Sequence, residues 1–309
     1  MKPLYSLAAT ARVANIPSVM SNVWLGVVLG SCERRFDETA LHLTLLLSAS
    51  AVSLYLSGNF LNDCADRDWD AVHRPERALP SGLFRPGFYL ACAIAFGCLG
   101  LVFAALVNVW SLGIAVAICL AILVYTGIHK RTIVSVIPMG LCRALLPILG
   151  YFGIAGTHTI TPQIVVLAGC AFGLFCHIVG LSLSARAESV RTLASKSIQP
   201  SAMWFLLAAI SLCASAFYFG LPPSFCALGV LPYALWIALS LTVFRVSVPV
   251  HVSNLLAGIP LVDWMLLWPI FLMSGAFSAS SEPFYLACFW VSPLAFFAGK
   301  SLQRLAPAT

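Results

Sequence analysis

Apolar residues run along this chain in blocks of about 20, the length that carries an α-helix across a bilayer. Gly, Pro and short polar turns separate the blocks. Read on that pattern, membrane spans fall at 12–31, 41–62, 86–107, 109–127, 133–154, 163–185, 201–220, 224–244, 254–278 and 283–300. The main polar interruptions are 32–40, 63–85, 128–132, 186–200 and 245–253. No soluble domain or low-complexity segment is visible, so residues 1–309 read as one integral membrane domain of the all-α class. The start, Met1 to Pro17, has no small-residue cleavage site after a short apolar core and is read as part of a retained span rather than a signal peptide.

Composition sharpens this picture. Of 309 residues, 61% are hydrophobic and 9% charged, where a soluble domain carries roughly 25% charged residues. That excludes an ordinary soluble enzyme. The net charge of +6 is modest and does not suggest nucleic acid. The 11 cysteines are scattered, many inside apolar blocks, and no pair has metal-site spacing. They read as small hydrophobes rather than disulfides or zinc ligands.

The placement of the basic residues gives an orientation. With the N-terminus in the cytoplasm and the spans alternating, fourteen Lys and Arg fall on the cytoplasmic side, from Lys2 and Arg12 to Lys300 and Arg304. Only Arg34 and Arg35 fall outside, beside Glu33, Asp37 and Glu38, and Arg143 lies within a span. Positive charge concentrates on cytoplasmic loops. The bias also favours an even number of spans, which keeps Lys300 and Arg304 inside.

The chemistry concentrates in Asn62-Asp63-Cys64-Ala65-Asp66-Arg67-Asp68-Trp69-Asp70, where four of the chain's 11 carboxylates fall within eight residues at the end of a span. Such a concentration of negative charge at a membrane boundary is costly unless cations neutralise it. On a helix, Asn62, Asp66 and Asp70 recur every four residues and share a face. These oxygen ligands suit Mg²⁺, which takes one or two carboxylates with waters and substrate phosphates. The run continues into His73-Arg74-Pro75-Glu76-Arg77-Ala78-Leu79-Pro80-Ser81-Gly82. Its prolines end the helix and turn Arg74 and Arg77 back toward the acids. There they either bind a metal-held diphosphate or neutralise the carboxylates and lipid headgroups.

Further candidates lie on other spans. Tyr125 to Arg131, with Lys130, closes the fourth span on the same side. Arg143, inside the fifth, needs a partner, either a phosphate or an acid of the first run. His177, Ser184 and Glu188 are seven and four residues apart on the sixth span and share a stripe; for His177 a packing role is the alternative. Asp263, inside a later span near Pro260, reads as structural or functional. Gly26 and Gly30 favour close helix packing.

At this point the residues resemble a known family. Asn62-Asp63-x-x-Asp66-x-x-x-Asp70, with the stretch from Arg74 to Gly82, is similar to the first aspartate-rich motif of the UbiA superfamily of intramembrane prenyltransferases. Arg12 and Asn15, and Tyr125 with Lys130, extend the likeness. The start from Ala11 to Val19 and the segment Ser184-Ala185-Arg186-Ala187-Glu188 most resemble the EboC-type UbiA-like proteins.

The resemblance implies a bundle of nine or ten transmembrane helices around a central cavity, in a bacterial inner membrane with the site loops cytoplasmic. It implies Mg²⁺-dependent transfer of a prenyl group from a polyprenyl diphosphate to an aromatic or other small acceptor. By position, Asn62, Asp66 and Asp70 would hold Mg²⁺, with Asp63 supporting. Lys130 and Arg143 would bind the diphosphate, and Arg12 and Asn15 would line the acceptor side. The family's second motif usually carries three aspartates, at the spacing of His177, Ser184 and Glu188. Here only Glu188 is acidic, a poor set for a second hard cation, although Arg186 would replace part of the missing charge. The alternative implied function is a non-catalytic membrane component that binds a lipid or helps export a secondary metabolite, since EboC-type proteins are associated with clusters implicated in such export.

Overall fold

A computed structural model describes residues 3–31, 38–129, 131–156, 162–190, 200–274 and 282–306. The side chains of 187–190, 200, 274 and 282–288 lie outside the described set. Among the described residues the regular structure is helical: α1 Pro3–Thr10, α2 Ile16–Ser31, α3 Glu38–Ala65, α4 Arg67–His73, α5 Pro86–Val107, α6 Val109–Ile128, α7 Val136–Ala155, α8 Pro162–Val190, α9 Pro200–Tyr218, α10 Pro223–Thr242, α11 Val248–Ala257, α12 Ile259–Ser274 and α13 Glu282–Leu302.

Nine helical stretches in the described set are long and apolar enough to cross a membrane, the ninth being Val248–Met273, which joins α11 to α12. The tenth apolar block, 283–300, is helical within α13. One sequence expectation is overturned here. The interruption expected at 245–253 is helical from Val248 onward. Pro249 sits in the first turn of α11, where its missing N–H costs nothing. The helix axis breaks instead at Gly258, ahead of Pro260, which has no N–H to bond Leu256.

Helices in lipid gain little from the hydrophobic effect between them and associate through close packing of small residues. The contact between α2 and α7 is the clearest case. A Cβ added at Gly26 would lie 1.8 Å from the Pro147 carbonyl oxygen, and one at Gly150 would lie 2.1 Å from that of Val23. A side chain at either position would drive the two backbones apart. Asn108 makes the tightest connection. It caps α6 by accepting from the Ser111 N–H at 2.8 Å, while its Nδ2 donates to the Phe152 carbonyl at 3.0 Å. One extended residue thus reverses the chain between α5 and α6 and ties the corner to α7.

Burial ranks the helices. Within the spanning windows, 72% of residues are buried in Val13–Ser31 and in Val248–Met273, against 17% in Pro86–Val107 and in Val109–Ile128. The first pair is central and the second faces lipid. A cavity of about 630 Å³ opens among α2, α3, α6, α7, α8 and α11. Arg12, α4 and the chain ends near 74–77, 125–129 and 186 close over one end of it.

Candidate active site

The acidic run is helical throughout. Backbone bonds from Asp66 N–H to Asn62 O, from Asp70 N–H to Asp66 O, and from Arg74 N–H to Asp70 O carry the four-residue period across the junction of α3 and α4. Asn62, Asp66 and Asp70 therefore stack on one face, buried to 6%, 5% and 2% exposure. Asp68 lies on the opposite side, almost fully exposed beside Arg67.

The protein's own cations cover the carboxylates. Arg77 Nη1 donates to Asp70 Oδ2 at 2.9 Å and reaches Asp63 Oδ1 at 3.5 Å. His129 Nε2 sits 2.8 Å from Asp66 Oδ1, and Asn62 Nδ2 donates to Asp66 Oδ2 at 3.2 Å. Asp63 also accepts from Thr10 Oγ1 at 3.1 Å. The cavity surface is accordingly formed by Asn62, Arg77 and His129 rather than by the carboxylates behind them. Sequence reasoning quoted His129 within the run closing the fourth span but gave it no role. Its pairing with Asp66 depends on α6 docking against α3, which local spacing does not encode.

Arg74 completes the rim. Its guanidinium lies 6.0 Å from the Trp69 ring centre, and partial burial lowers its affinity for the proton, with the neighbouring Arg77 adding to the effect. Tyr125 lines the cavity and its ring stacks on His129 at 5.1 Å. Arg186, from α8, donates to the His129 carbonyl at 2.6 Å and to Ser135 Oγ at 2.7 Å, which ties α8 to the start of α7. Arg12 and Asn15 also line the cavity. Arg12 adopts the left-handed conformation, φ 46° and ψ 51°, at a cost of about 1–2 kcal/mol for a residue with a Cβ. Two side chains of α3 hold this elbow: Tyr55 donates to the Arg12 carbonyl at 3.2 Å, and Asn59 to the Ala11 carbonyl at 3.0 Å. Both had a signal in the sequence, because residues 55, 59, 62 and 66 follow one face of α3.

Arg143 lies deeper. Its Nη1 donates to Ser18 Oγ and to Asn22 Oδ1, both at 3.1 Å, and its guanidinium sits 5.7 Å from the Tyr55 ring centre. Asn22 Nδ2 in turn donates to both oxygens of Asp263, at 3.0 and 2.8 Å, and Ser21 Oγ bonds the same carboxylate. The acid nearest Arg143 is thus Asp263, reached across Asn22, and not a member of the first run. Asp263 is fully buried and hydrogen-bonded within this network.

Two expected site residues of α8 are turned away from the cavity. The wall contributed by α8 consists of Ile178, Leu181, Ser182, Ala185 and Arg186. His177 is turned away, its two ring nitrogens 3.1 Å from the Tyr233 hydroxyl and 3.2 Å from the Leu255 carbonyl. Ser184 Oγ is 2.8 Å from His251 Nε2, between α8 and α11. Both are fully buried in helix packing, and His177 takes its packing alternative. The stripe was correctly helical, but a seven-residue spacing does not say which neighbour the stripe meets. Lys130 and the Glu188 side chain lie outside the described residues.

Does this set fit the divalent cation that the resemblance implies? Among the described residues, no three His, Cys, Asp or Glu side chains converge on one point. Mg²⁺ does not require that, since it keeps waters and draws ligands from substrate phosphates. Asn62 Oδ1 is buried beside Asp66 and accepts no hydrogen bond among the described residues. A buried amide oxygen without a donor is costly and suits a cation. The donors Asn62, Asp66 and Asp70 are all hard oxygens, so the set fits one Mg²⁺ at the polar end of the cavity.

Comparison with known proteins places this geometry. Residues 19–254 match the sequence pattern of the UbiA prenyltransferase family. Digeranylgeranylglyceryl phosphate synthase of Methanothrix thermoacetophila is 33% identical over 88 residues, 28% of this chain and 33% of that protein. The enzyme of the same name from Sulfurisphaera tokodaii is 26% identical over 141 residues, 45% of this chain and 49% of its own length. The chain thus spans between a third and a half of these curated relatives. A solved structure of a digeranylgeranylglyceryl phosphate synthase superposes with a TM-score of 0.53 at 19% identity, over 97% of this chain and 99% of the other, which shows a shared fold.

Proposed function

The chain belongs to the UbiA prenyltransferase family, and from that premise we propose that it transfers a prenyl group from a polyprenyl diphosphate to an aromatic or other small acceptor inside the membrane. One observation carries the reading: a cavity of about 630 Å³ has cations and buried oxygen ligands at one end and, apart from Arg143 and Ser182, a largely apolar wall beyond them. That is the shape of an amphiphile with an anionic head and a hydrocarbon tail.

In this reading Asn62, Asp66 and Asp70 hold Mg²⁺, with Asp63 and Arg77 fixing their orientation. The cation supplies charge neutralisation for the departing diphosphate. Arg74, Arg77 and Lys130 would bind the outer phosphate oxygens. The allylic C–O bond breaks, the diphosphate leaves with the electron pair, the acceptor attacks the allylic carbon, and the acceptor's displaced proton passes to the departing diphosphate or to water. The ring of Tyr55 and the apolar wall formed by Leu54, Ile118, Ile122 and Leu146 exclude water, which would otherwise capture the carbocation. The basic end faces the cytoplasm, in keeping with the charge bias of the loops.

The test is release of inorganic diphosphate from geranyl, farnesyl and geranylgeranyl diphosphates by the purified protein, with Mg²⁺ and with chelator. Asp66→Asn and Asp70→Asn are expected to lower the rate at least 100-fold, about 2.7 kcal/mol of lost transition-state stabilisation. A specific observation favours a second reading, a non-catalytic member of the family that binds a lipid or metabolite: His177 and Ser184 pack outside the cavity. On that reading both Asp variants retain biological activity and no diphosphate is released.

A further inference from the structure

Residues 10–12 run along α3 in register. Thr10 Oγ1 donates to Asp63 at 3.1 Å, Asn59 donates to the Ala11 carbonyl at 3.0 Å, and Tyr55 donates to the Arg12 carbonyl at 3.2 Å. Positions 55, 59 and 63 recur every four residues, so the three rungs lie on one face of the helix. Two of the rungs end on backbone. The third ends on a carboxylate beside the candidate site, and it continues in both directions.

Behind Thr10 stands Tyr89 of α5, fully buried, with its hydroxyl 2.9 Å from Thr10 Oγ1. The proton count fixes the direction of each bond. A carboxylate only accepts, so the single proton of Thr10 goes to Asp63; the Thr10 oxygen then accepts, and Tyr89 is the donor. Packing holds the phenol in place: its ring meets that of Phe60 edge-on at 5.0 Å and lies 5.9 Å from Phe84. Asp63 is thus gripped at Oδ2 by a chain of donors from α5 through α1. Its other oxygen, Oδ1, faces Arg77 Nη1 at 3.5 Å. Arg77 lines the cavity, whereas Tyr89, Thr10 and Asp63 do not.

Arg77 shares its Nη1 between Asp63 and Asp70, and Asp70 is one of the three oxygen ligands assigned above to the divalent cation. Asp63 is not one of them. When the cation claims Asp70, Asp63 is the carboxylate left to aim Arg77. We propose that Tyr89 and Thr10 are positioning residues for diphosphate binding: by fixing Asp63 they hold the Arg77 guanidinium at the cavity wall in the pose that takes a phosphate oxygen. A carboxylate locked by its own donors orients an arginine before the ligand arrives, so less ordering remains to be done on binding. The identity of the ligand rests on the prenyl-transfer reading; the path from Tyr89 to Arg77 is a separate claim.

Calorimetric titration of the purified protein in a neutral detergent with Mg²⁺ tests it with two probes, geranyl diphosphate and inorganic pyrophosphate. Tyr89→Phe and Thr10→Val are expected to weaken both by about fivefold, the scale of one lost hydrogen bond, while Thr10→Ser, which keeps the hydroxyl, stays within about twofold of the unaltered protein. In an Arg77→Gln background, Tyr89→Phe has no further effect on either probe. Weaker binding of geranyl diphosphate with pyrophosphate unchanged marks a packing role and overturns the proposal. So does a Tyr89→Phe effect that persists beside Arg77→Gln. Equal affinities in Thr10→Val and Thr10→Ser overturn it as well, and decide the matter if Arg77→Gln does not fold. If pyrophosphate shows the full pattern and geranyl diphosphate binds no more tightly than pyrophosphate, the prenyl-transfer reading fails and the relay stands. A protein that binds neither probe contradicts both.

Discussion

Arg77 holds two carboxylates at once, the buried Asp70 at 2.9 Å and the partly buried Asp63 at 3.5 Å. Removing it strands Asp70 at 2% exposure with no cation of its own. Breaking such a pair costs about 3 kcal/mol, because an uncompensated charge stays buried. We therefore expect Arg77→Gln to unfold at clearly lower temperature in detergent, and Asp70→Asn in the same chain to recover much of the loss. Additive effects of the two substitutions would show that the pair contributes nothing. At this scale the sequence was informative where chemistry follows local spacing. Asn62, Asp66 and Asp70 share a helical face because they recur every four residues and the four-residue backbone bonds continue across the junction of α3 and α4. It was silent where a residue acts through a distant helix: the contact between His129 and Asp66 exists only once α6 has docked against α3.

Among elements, α2 and α7 form the inner seam of the bundle, and the cavity residues Val19, Arg143 and Leu146 hang from it. The seam depends on glycine. Gly26→Ala or Gly150→Ala puts a methyl group within 1.8 or 2.1 Å of a backbone carbonyl oxygen, so the helices must separate. Overpacking of this kind costs about 1–3 kcal/mol or more. Gly113→Ala, in α6, meets nothing within 4 Å and is expected to raise helix stability by about 0.8–1 kcal/mol at most. Thermal unfolding of the three variants separates the cases: a fall for the first two and none for the third. The sequence reached this level for Gly26 and for the boundary at Asn108, where one polar residue divides two apolar blocks. It misjudged the segment from Val248 to Ser253. The polar groups there and just beyond are bonded inward: His251 to the Ser240 carbonyl, the Ser253 carbonyl to Gln303 and the Asn254 side chain to Lys300. Polar residues satisfied by neighbouring helices sit at membrane depth without marking a loop.

For the whole molecule, alternation of the spans brings Arg12, the 62–77 segment, 125–129, Ser135 and Arg186 to one end of the bundle. Lys300 joins α11 on the same flank. The charge bias then predicts that this end is cytoplasmic. A green fluorescent protein fused after Thr309 should fluoresce in the native membrane, since Lys300 and Arg304 lie on that side; a dark but intact fusion would reverse the orientation. The central claim is that this end seats a divalent cation together with a prenyl diphosphate. The most direct measurement is thermal unfolding of the purified protein across a titration of geranyl diphosphate, with Mg²⁺ and with chelator, alongside Asp66→Asn. Binding to the folded state alone adds about 1.4 kcal/mol of stability for each tenfold excess of ligand over Kd. The account predicts that rise only when Mg²⁺ and ligand are both present, and its loss in Asp66→Asn. An equal rise in chelator, or an undiminished one in Asp66→Asn, would contradict it.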